Sequence, residues 1–379
     1  MPPSAPIIIN KSCKVTSFDR LRRWSTDDHA AAFQAFRRSA NAASFQQANF
    51  AASFAGQPQD WTHVTEIACS TVSDAAPRKF FEDHFLPCQI IDTERPEGLF
   101  TGYYEPELQG SREFSDAYPA PVLRKPSDLV AFTHQEQQQT GLAYGRRTTT
   151  GAVAFEDRRA IEQGSLANQG LEICWLSSWI DAFFLHVQGS GRVTLQDGSM
   201  IRLSYAAKSG LPYQAIGGIL VERGILTRQT MSMQSLRQWM QQHPAEAHEL
   251  MWKNPSYIFF RELEMVDGNL GAVGAGKVNL TPHRSLAIDK QHFLYGTPIW
   301  LETQLPPEAA GGAEPFEHLM IAQDTGSAIR GLARGDVYWG WGDTAAQVAG
   351  HMKSSGTMTI LLPHAVIKRL QLLAMGSPL

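Results

Sequence analysis

Apolar and polar positions alternate with a helical period at the start of the chain and break into short apolar blocks later on. Residues 18–47 are predicted helical. Ser25-Thr26-Asp27-Asp28 supplies capping oxygens and acidic groups for a first turn, and Phe33, Phe36 and Ala40 recur at three- and four-residue spacing. Further helices are predicted over residues 60–69 and 76–85. Pro87 closes this region, and residues 88–91 read as a strand. At Leu99 the text becomes strand and turn. An aromatic-rich strand ends at Pro106, and a long loop rich in Pro, Ser and Gly follows to about Thr150. Residues 183–187, 192–195 and 200–205 read as strands, the last two joined by a hairpin at Asp197-Gly198. Helices are predicted over 213–223, ending at Gly224, and over 230–242 and 244–253. From Asn254 onward, short strands are predicted at 256–262, 286–288, 298–301, 318–322, 336–339 and 357–362. Gly/Pro turns between them point to a sandwich or a closed barrel.

Length and composition narrow the picture. The 379 residues suggest two domains, one of them able to be inserted into the other, and a hydrophobic share of 43% supports real cores. Basic residues number 33 against 37 acidic, for a net charge of -4, and no dense Lys/Arg run occurs. That excludes the electrostatic footprint of a nucleic-acid binder and suits a neutral or zwitterionic polar substrate such as a polysaccharide. No apolar stretch approaches the ~18–20 residues of a membrane span, so no transmembrane segment is expected. Residues 1–10 show no export signal, which leaves a cytosolic protein or one whose signal lies outside this chain. Cys13, Cys69, Cys88 and Cys174 are scattered without metal-ligand rhythm and read as buried thiols or as a disulfide-bearing set of undetermined pairing. The 12 histidines form no HExxH pattern, and neither metal nor organic cofactor is expected. Gly274-Ala-Gly276 lacks the rest of a phosphate-binding loop.

Three aspartates then call for a reason, because Asp is a poor strand residue and each sits beside a predicted strand: Asp289, Asp324 and Asp336. Turn formation is one reason. The other is chemical, since glycosidic cleavage needs a carboxylic acid whose pKa is raised by an apolar or like-charged setting. Trp339 and Trp341 follow Asp336 and would serve either as an apolar wall beside it or as core.

Six ordered blocks now carry a resemblance. They are Phe100-Thr-Gly-Tyr-Tyr-Glu-Pro106, His186-Val-Gln-Gly-Ser-Gly191, Ser204-Tyr-Ala-Ala-Lys-Ser-Gly210 with Tyr213 and Ile216-Gly217, Met231-Ser-Met-Gln234, Asn254-Pro-Ser-Tyr-Ile-Phe-Phe260, and Gln323-Asp-Thr-Gly-Ser-Ala-Ile-Arg-Gly331. Together they resemble the membrane-bound lytic transglycosylase A family, over about residues 18–363. The resemblance implies a mainly β fold with flanking helices. A six-stranded double-psi β-barrel, the three-aspartate domain, would be built from residues 1–99 and 254–379. A β-rich domain over 100–253 would be inserted into it, with glycan in the groove between. It also implies cleavage of peptidoglycan strands between N-acetylmuramic acid and N-acetylglucosamine with a 1,6-anhydromuramic end, the work of a carbon–oxygen lyase acting on polysaccharides. Asp336 is implied as general acid/base, with Asp324 and Asp289 as supporting carboxylates. The family's setting implies the periplasm or outer-membrane periphery, with peptidoglycan strands and cell-wall synthesis complexes as partners.

The substrate-binding residues expected on this basis are Thr101, Tyr103, Tyr104, Gln188, Ser190, Tyr205, Lys208, Tyr213, Gly326 and Trp339. Gln188 and Ser190, in a Gly-flanked turn after an apolar strand, suit sugar hydroxyls. Tyr103 and Tyr104 take opposite faces if they lie in a strand, one to the core and one to the substrate. Lys208 would donate to an N-acetyl carbonyl or a lactyl carboxylate, or stay solvated. Two other readings stand beside this one: a peptidoglycan or β-glucan hydrolase using Asp324 or Asp289 to activate water, and a non-catalytic wall-binding protein.

Overall fold

The computed structural model describes residues 8–10, 12–42, 54, 56–70, 76–93, 96–263, 268–307 and 314–374. The chain divides into two compact units, Met1–Tyr103 with Asn269–Leu379, and Tyr104–Gly268. Helices and sheets are mixed in both, so the fold is a mixed α and β one rather than mainly β.

In the first unit, hydrogen-bond pairing closes a ring of six strands. Lys353–Pro363 pairs with Pro298–Gln304, which pairs with Pro315–Asp324. The latter runs parallel to Ser285–Ile288, whose other edge takes Arg334–Trp341 in antiparallel register. Gly98–Glu105 lies next and pairs back onto Lys353–Gly356. The strands expected at 286–288, 298–301, 318–322, 336–339 and 357–362 all form, and each runs further than its apolar run suggests because closure gives both edges partners. Phe85–Ile90 adds to the ring at Lys353–Pro363, so Pro87 sits inside a strand instead of ending a helix. Its missing N–H leaves the ladder intact on the bonding side it still has.

Helix His29–Asn41 starts after the expected cap, with Asp28 capping Ala31 N–H, whereas residues 18–26, expected helical, form only two short 3-10 turns, and the expected end at residues 43–47 falls outside the described residues. Phe33 meets Phe80 and Phe81 edge-on, and Phe36 meets Phe81 and Phe85 edge-on and Phe80 at a tilt. Gln323, fully buried, ties that helix to the ring by donating to Ala35 O at 2.9 Å and Ser39 Oγ at 2.8 Å. Asp27 does the same from the preceding turn. It accepts from Arg284 at 2.8 and 3.0 Å, His318 Nδ1 at 2.7 Å and Leu319 N–H at 2.9 Å.

In the second unit a six-stranded sheet runs in the order Ile258–Leu263, Met200–Lys208, Ser190–Leu195, Glu107–Ser111, Glu172–Leu176, Ala120–Leu123. The pairing of Ile258–Leu263 with Met200–Lys208 places the boundary of this unit at Gly268 instead of Lys253. The expected loop through Thr150 in fact holds strands Glu107–Ser111, Ala120–Leu123 and Tyr144–Thr148 and helix His134–Thr140, whose Pro- and Ser-rich text hides short, well-capped elements.

The run 183–187 is a helix, Trp179–Gln188, and not a strand. It is mostly apolar because most of it is covered from two sides, with Asp181 and the exposed Val187 as exceptions. Ala182 and Leu185 pack on the sheet, while Phe183 and Phe184 pack on Ile216, Leu220, Leu236 and Leu250. Periodicity cannot tell such a run from a buried strand. Ser178 caps its start and Gly189, at φ +79°, ends it.

Candidate active site

The strand Arg334–Trp341 carries Asp336, which sits opposite Ala287 of its antiparallel neighbour. On the other side, Gly98–Glu105 presents Thr101, whose hydroxyl donates to Asp336 Oδ1 at 2.5 Å. Arg334, two residues back on the same face, donates to Thr101 Oγ1 at 2.8 Å. Burial pushes the Asp336 carboxyl up to about 6, against the opposing pull of Arg334 and Thr101, and the charge of Asp324 adds a smaller rise. A carboxylic acid that keeps its proton close to neutral pH can act as a general acid.

Asp324 ends the parallel strand Pro315–Asp324, and all its oxygens are taken. Oδ1 accepts from Ala275 N–H and Thr325 N–H, both at 2.9 Å, and Oδ2 accepts from Tyr103 Oη at 2.9 Å. Burial raises its pKa and these bonds lower it. Ala275 reaches Asp324 because its neighbours are glycines. A Cβ on Gly274 or Gly276 would come within 2.7 and 2.9 Å of Gln323 O. The Gly-Ala-Gly stretch that resembled no complete motif is therefore the cradle of this carboxylate.

Asp289 is 2% exposed and accepts from Gly331 N–H at 3.0 Å, Gln291 N–H at 3.1 Å and Arg330 at 3.4 Å. It pins the turn that begins at Gly326, where Ile329 N–H closes back on Gly326 O.

The remaining expected residues divide between exposed and buried positions. Tyr103 stacks obliquely on Tyr338 at 5.2 Å beside Asp324. Trp339 is a correction. At 7% exposure it lies under Gly102, whose Cβ would meet Trp339 Nε1 at 2.6 Å, with His283 and Phe316 against its ring, so it is core and not a wall for substrate.

In the second unit Tyr104 is buried, and its backbone N–H donates to Gln188 Oε1 at 3.0 Å. Gln188 is the last helical residue, not part of a turn after a strand, and its amide also meets Met233 Sδ. Ser190, 7% exposed, starts a strand opposite Ser204. These two side chains are thus committed inside the fold more than the sequence suggested. Tyr205 and Tyr213 are 42% and 40% exposed, and Lys208 is half-buried at the end of its strand.

Sequence reasoning passed over Arg334, although Arg-x-Asp on a strand was a readable signal for two side chains on one face. It also passed over Glu105, fully buried between Arg192 and Arg202 at 3.9 and 3.3 Å. Among the described residues no group of three His, Cys, Asp or Glu side chains could hold a metal ion, and no helix is long and apolar enough to cross a membrane. The cysteines are free thiols, and the contact with Cys13, followed by burial, raises Cys88 far above the usual thiol range.

Two family models match this chain in order: the MltA specific insert domain over residues 99–261 and the 3D domain over residues 284–362. A crystal structure of a membrane-bound lytic murein transglycosylase from Agrobacterium tumefaciens is 35% identical and superposes with a TM-score of 0.85, covering 95% of this chain and 99% of that one. The chain belongs to the MltA family of membrane-bound lytic murein transglycosylases. Asp289, Asp324 and Asp336 all fall within the 3D domain match, and the buried Glu105 falls within the insert domain match. The membrane-bound lytic murein transglycosylase A of Escherichia coli K12 is 31% identical over 265 residues, 69% of this chain and 65% of that protein, so the match spans just under two thirds of that relative's length. A structure of E. coli MltA with bound chitohexaose is 26% identical with a TM-score of 0.66, covering 90% of each chain.

Proposed function

We propose that this chain is a lytic transglycosylase that cleaves peptidoglycan between N-acetylmuramic acid and N-acetylglucosamine, with Asp336 as its single acid and base. The observation that carries this reading is the contrast between the carboxylates. Burial raises both Asp336 and Asp324, but Asp336 holds one hydrogen bond, from Thr101, whereas Asp324 and Asp289 are occupied by backbone and side-chain donors. A hydrolase needs a second carboxylate free to activate water, and those two are committed.

Protonated Asp336 gives its proton to the glycosidic oxygen, and the leaving N-acetylglucosamine end departs as a neutral alcohol. The carboxylate then takes the proton of the muramic 6-hydroxyl as that oxygen bonds to the anomeric carbon. A 1,6-anhydro ring forms, and the aspartic acid is restored. Because the nucleophile belongs to the same sugar, orientation replaces the activation of a water molecule. The chitohexaose bound to the E. coli relative supports a saccharide ligand here. The exposed Tyr205 and Tyr213 suit sugar faces, with Lys208 toward the acetyl or lactyl groups. The six-strand ring and its parallel pair suit a double-psi barrel. The family suits a place at the outer membrane or in the periplasm, exo action on strand ends, and association with cell-wall synthesis complexes.

Digestion of purified peptidoglycan in oxygen-18 water tests the reaction. The expected products are non-reducing muropeptides, free of label and lighter by one water than hydrolysis products. A labelled, reducing product as the initial species would overturn the mechanism in favour of hydrolysis.

A further inference from the structure

Two observations about Arg334 stand apart from the reading above. Arg334 is 9% exposed, yet its guanidinium forms no ion-paired contact with the carboxylate two residues away. It donates to Leu99 O at 3.3 Å, to Gly335 O, and to Thr101 Oγ1 at 2.8 Å. Thr101 in turn donates to Asp336 Oδ1.

A guanidinium can only donate, and a hydroxyl has a single hydrogen. Once Thr101 Oγ1 has accepted a charged N–H, it becomes a poorer acceptor for a second proton and a stronger donor. The hydroxyl hydrogen is then held toward Asp336 Oδ1, and a proton on that same carboxyl oxygen would collide with it. Tyr103 does not compete for this position, since its own hydroxyl hydrogen is used on Asp324 Oδ2.

We propose that Arg334 is a positioning residue that acts through Thr101, fixing the hydroxyl as donor to Asp336 Oδ1 and so keeping the transferable proton on Oδ2. This rests on the reading of Asp336 as acid and base. A proton confined to one oxygen meets the glycosidic oxygen in one orientation, where a carboxyl free to carry it on either oxygen would spend part of its time turned away. The groups that face Asp336 are consistent with this. Arg334 comes from its own strand, Thr101 and the phenol of Tyr103 come from Gly98–Glu105, and Asp324 comes from the end of Pro315–Asp324. The paired strand Ser285–Ile288 brings no charge.

The test is a double-mutant cycle on the full chain with purified peptidoglycan, reading kcat, KM and the pH dependence of kcat for R334M, T101V, T101S and R334M/T101V. R334M and T101V are each expected to lower kcat ~10-fold or more with KM little changed. On the acid plateau of kcat, where Asp336 is protonated and the charge of Arg334 has no carboxylate to act on, the double variant is expected to be no worse than T101V, because there the arginine works through that hydroxyl. T101S, which keeps the hydroxyl, should retain most activity. Loss of either member should also carry the alkaline limb of the profile to higher pH, since both favour ionised Asp336. Should R334M fail to fold, R334K, which keeps the charge without the fork, is read in the same cycle.

Multiplying effects in the double variant, or an R334M profile unchanged except for the folded fraction, would overturn the proposal. If Asp336→Asn stays active, the reading of the acid fails instead. An inactive Asp336→Asn together with a multiplicative cycle sinks only the relay.

Discussion

Replacing Asp336 with Asn should abolish lysis and at the same time stabilise the ring unit in a pH-dependent way. The carboxyl is raised to about 6 in the fold, chiefly by burial, from an ordinary value of 3.8. For an acid whose folded pKa is raised, the folded state binds the proton more tightly than the unfolded one. Stability is therefore complete below the unfolded pKa and is lost as pH climbs through the folded pKa. At ~1.4 kcal/mol per unit, ionising Asp336 costs the native state about 3 kcal/mol by pH 8, most of it incurred between pH 4 and 7. Asn is nearly isosteric, keeps an acceptor for Thr101 Oγ1, and carries no charge at any of these values. The measurement is urea unfolding of both proteins at steps from pH 4 to 8, following tryptophan signals of the ring unit such as Trp300 and Trp339. The gap between variant and parent should widen in favour of the variant as pH rises. A gap that is constant with pH, or that narrows, would show that Asp336 is not a proton-holding buried acid. The same variant should still bind glycan strands, because only the proton cycle is removed.

Three further outcomes follow from the same geometry. The lytic rate of the parent protein should be highest with Asp336 protonated and fall about tenfold per pH unit above its raised pKa, and a rate still rising at pH 8 would contradict this. Asp27, whose pKa is held well below the carboxylate range mainly by His318 and Arg284 against the cost of its burial, should contribute stability that is present above about pH 4 and lost as the medium becomes more acid. Asp27→Ala should cost roughly 3–5 kcal/mol at neutral pH by leaving buried Arg284 unpaired, read by thermal or denaturant unfolding. Gly102→Ala should cost about 1–3 kcal/mol and lower activity, since its Cβ would press on the Trp339 ring and on Ala349 Cα at 2.8 Å and shift Thr101 and Tyr103 on either side. Normal melting and full activity would show that this contact gives way freely.

The sequence by itself determined the family, through six ordered blocks, and with it the three aspartates and the strand text that closes the ring. These are local signals: an apolar run bounded by turn residues, a capping side chain before a helix, or a carboxylate beside glycines speaks for itself within a few positions. Tertiary structure decided what local text cannot contain. Trp179–Gln188 reads the same as a helix or a strand until both its faces are known to be covered. Trp339 reads the same as wall or core until Gly102 is found pressed against it. Ile258–Leu263 joined the second unit because its pairing partner lay there, fifty and more residues earlier in the chain. The chemistry of the site is of this second kind as well. Nothing near Asp324 in sequence says that its lone pairs are filled by Tyr103 and Ala275, or near Asp336 that Thr101 reaches it across a strand edge. Hydrogen bonds between side chains more than two hundred residues apart are set by which strands the closed ring makes neighbours. The burial that closure brings raises the carboxyl of Asp336, and the hydrogen bonds that each aspartate then accepts set it apart from Asp324 and Asp289.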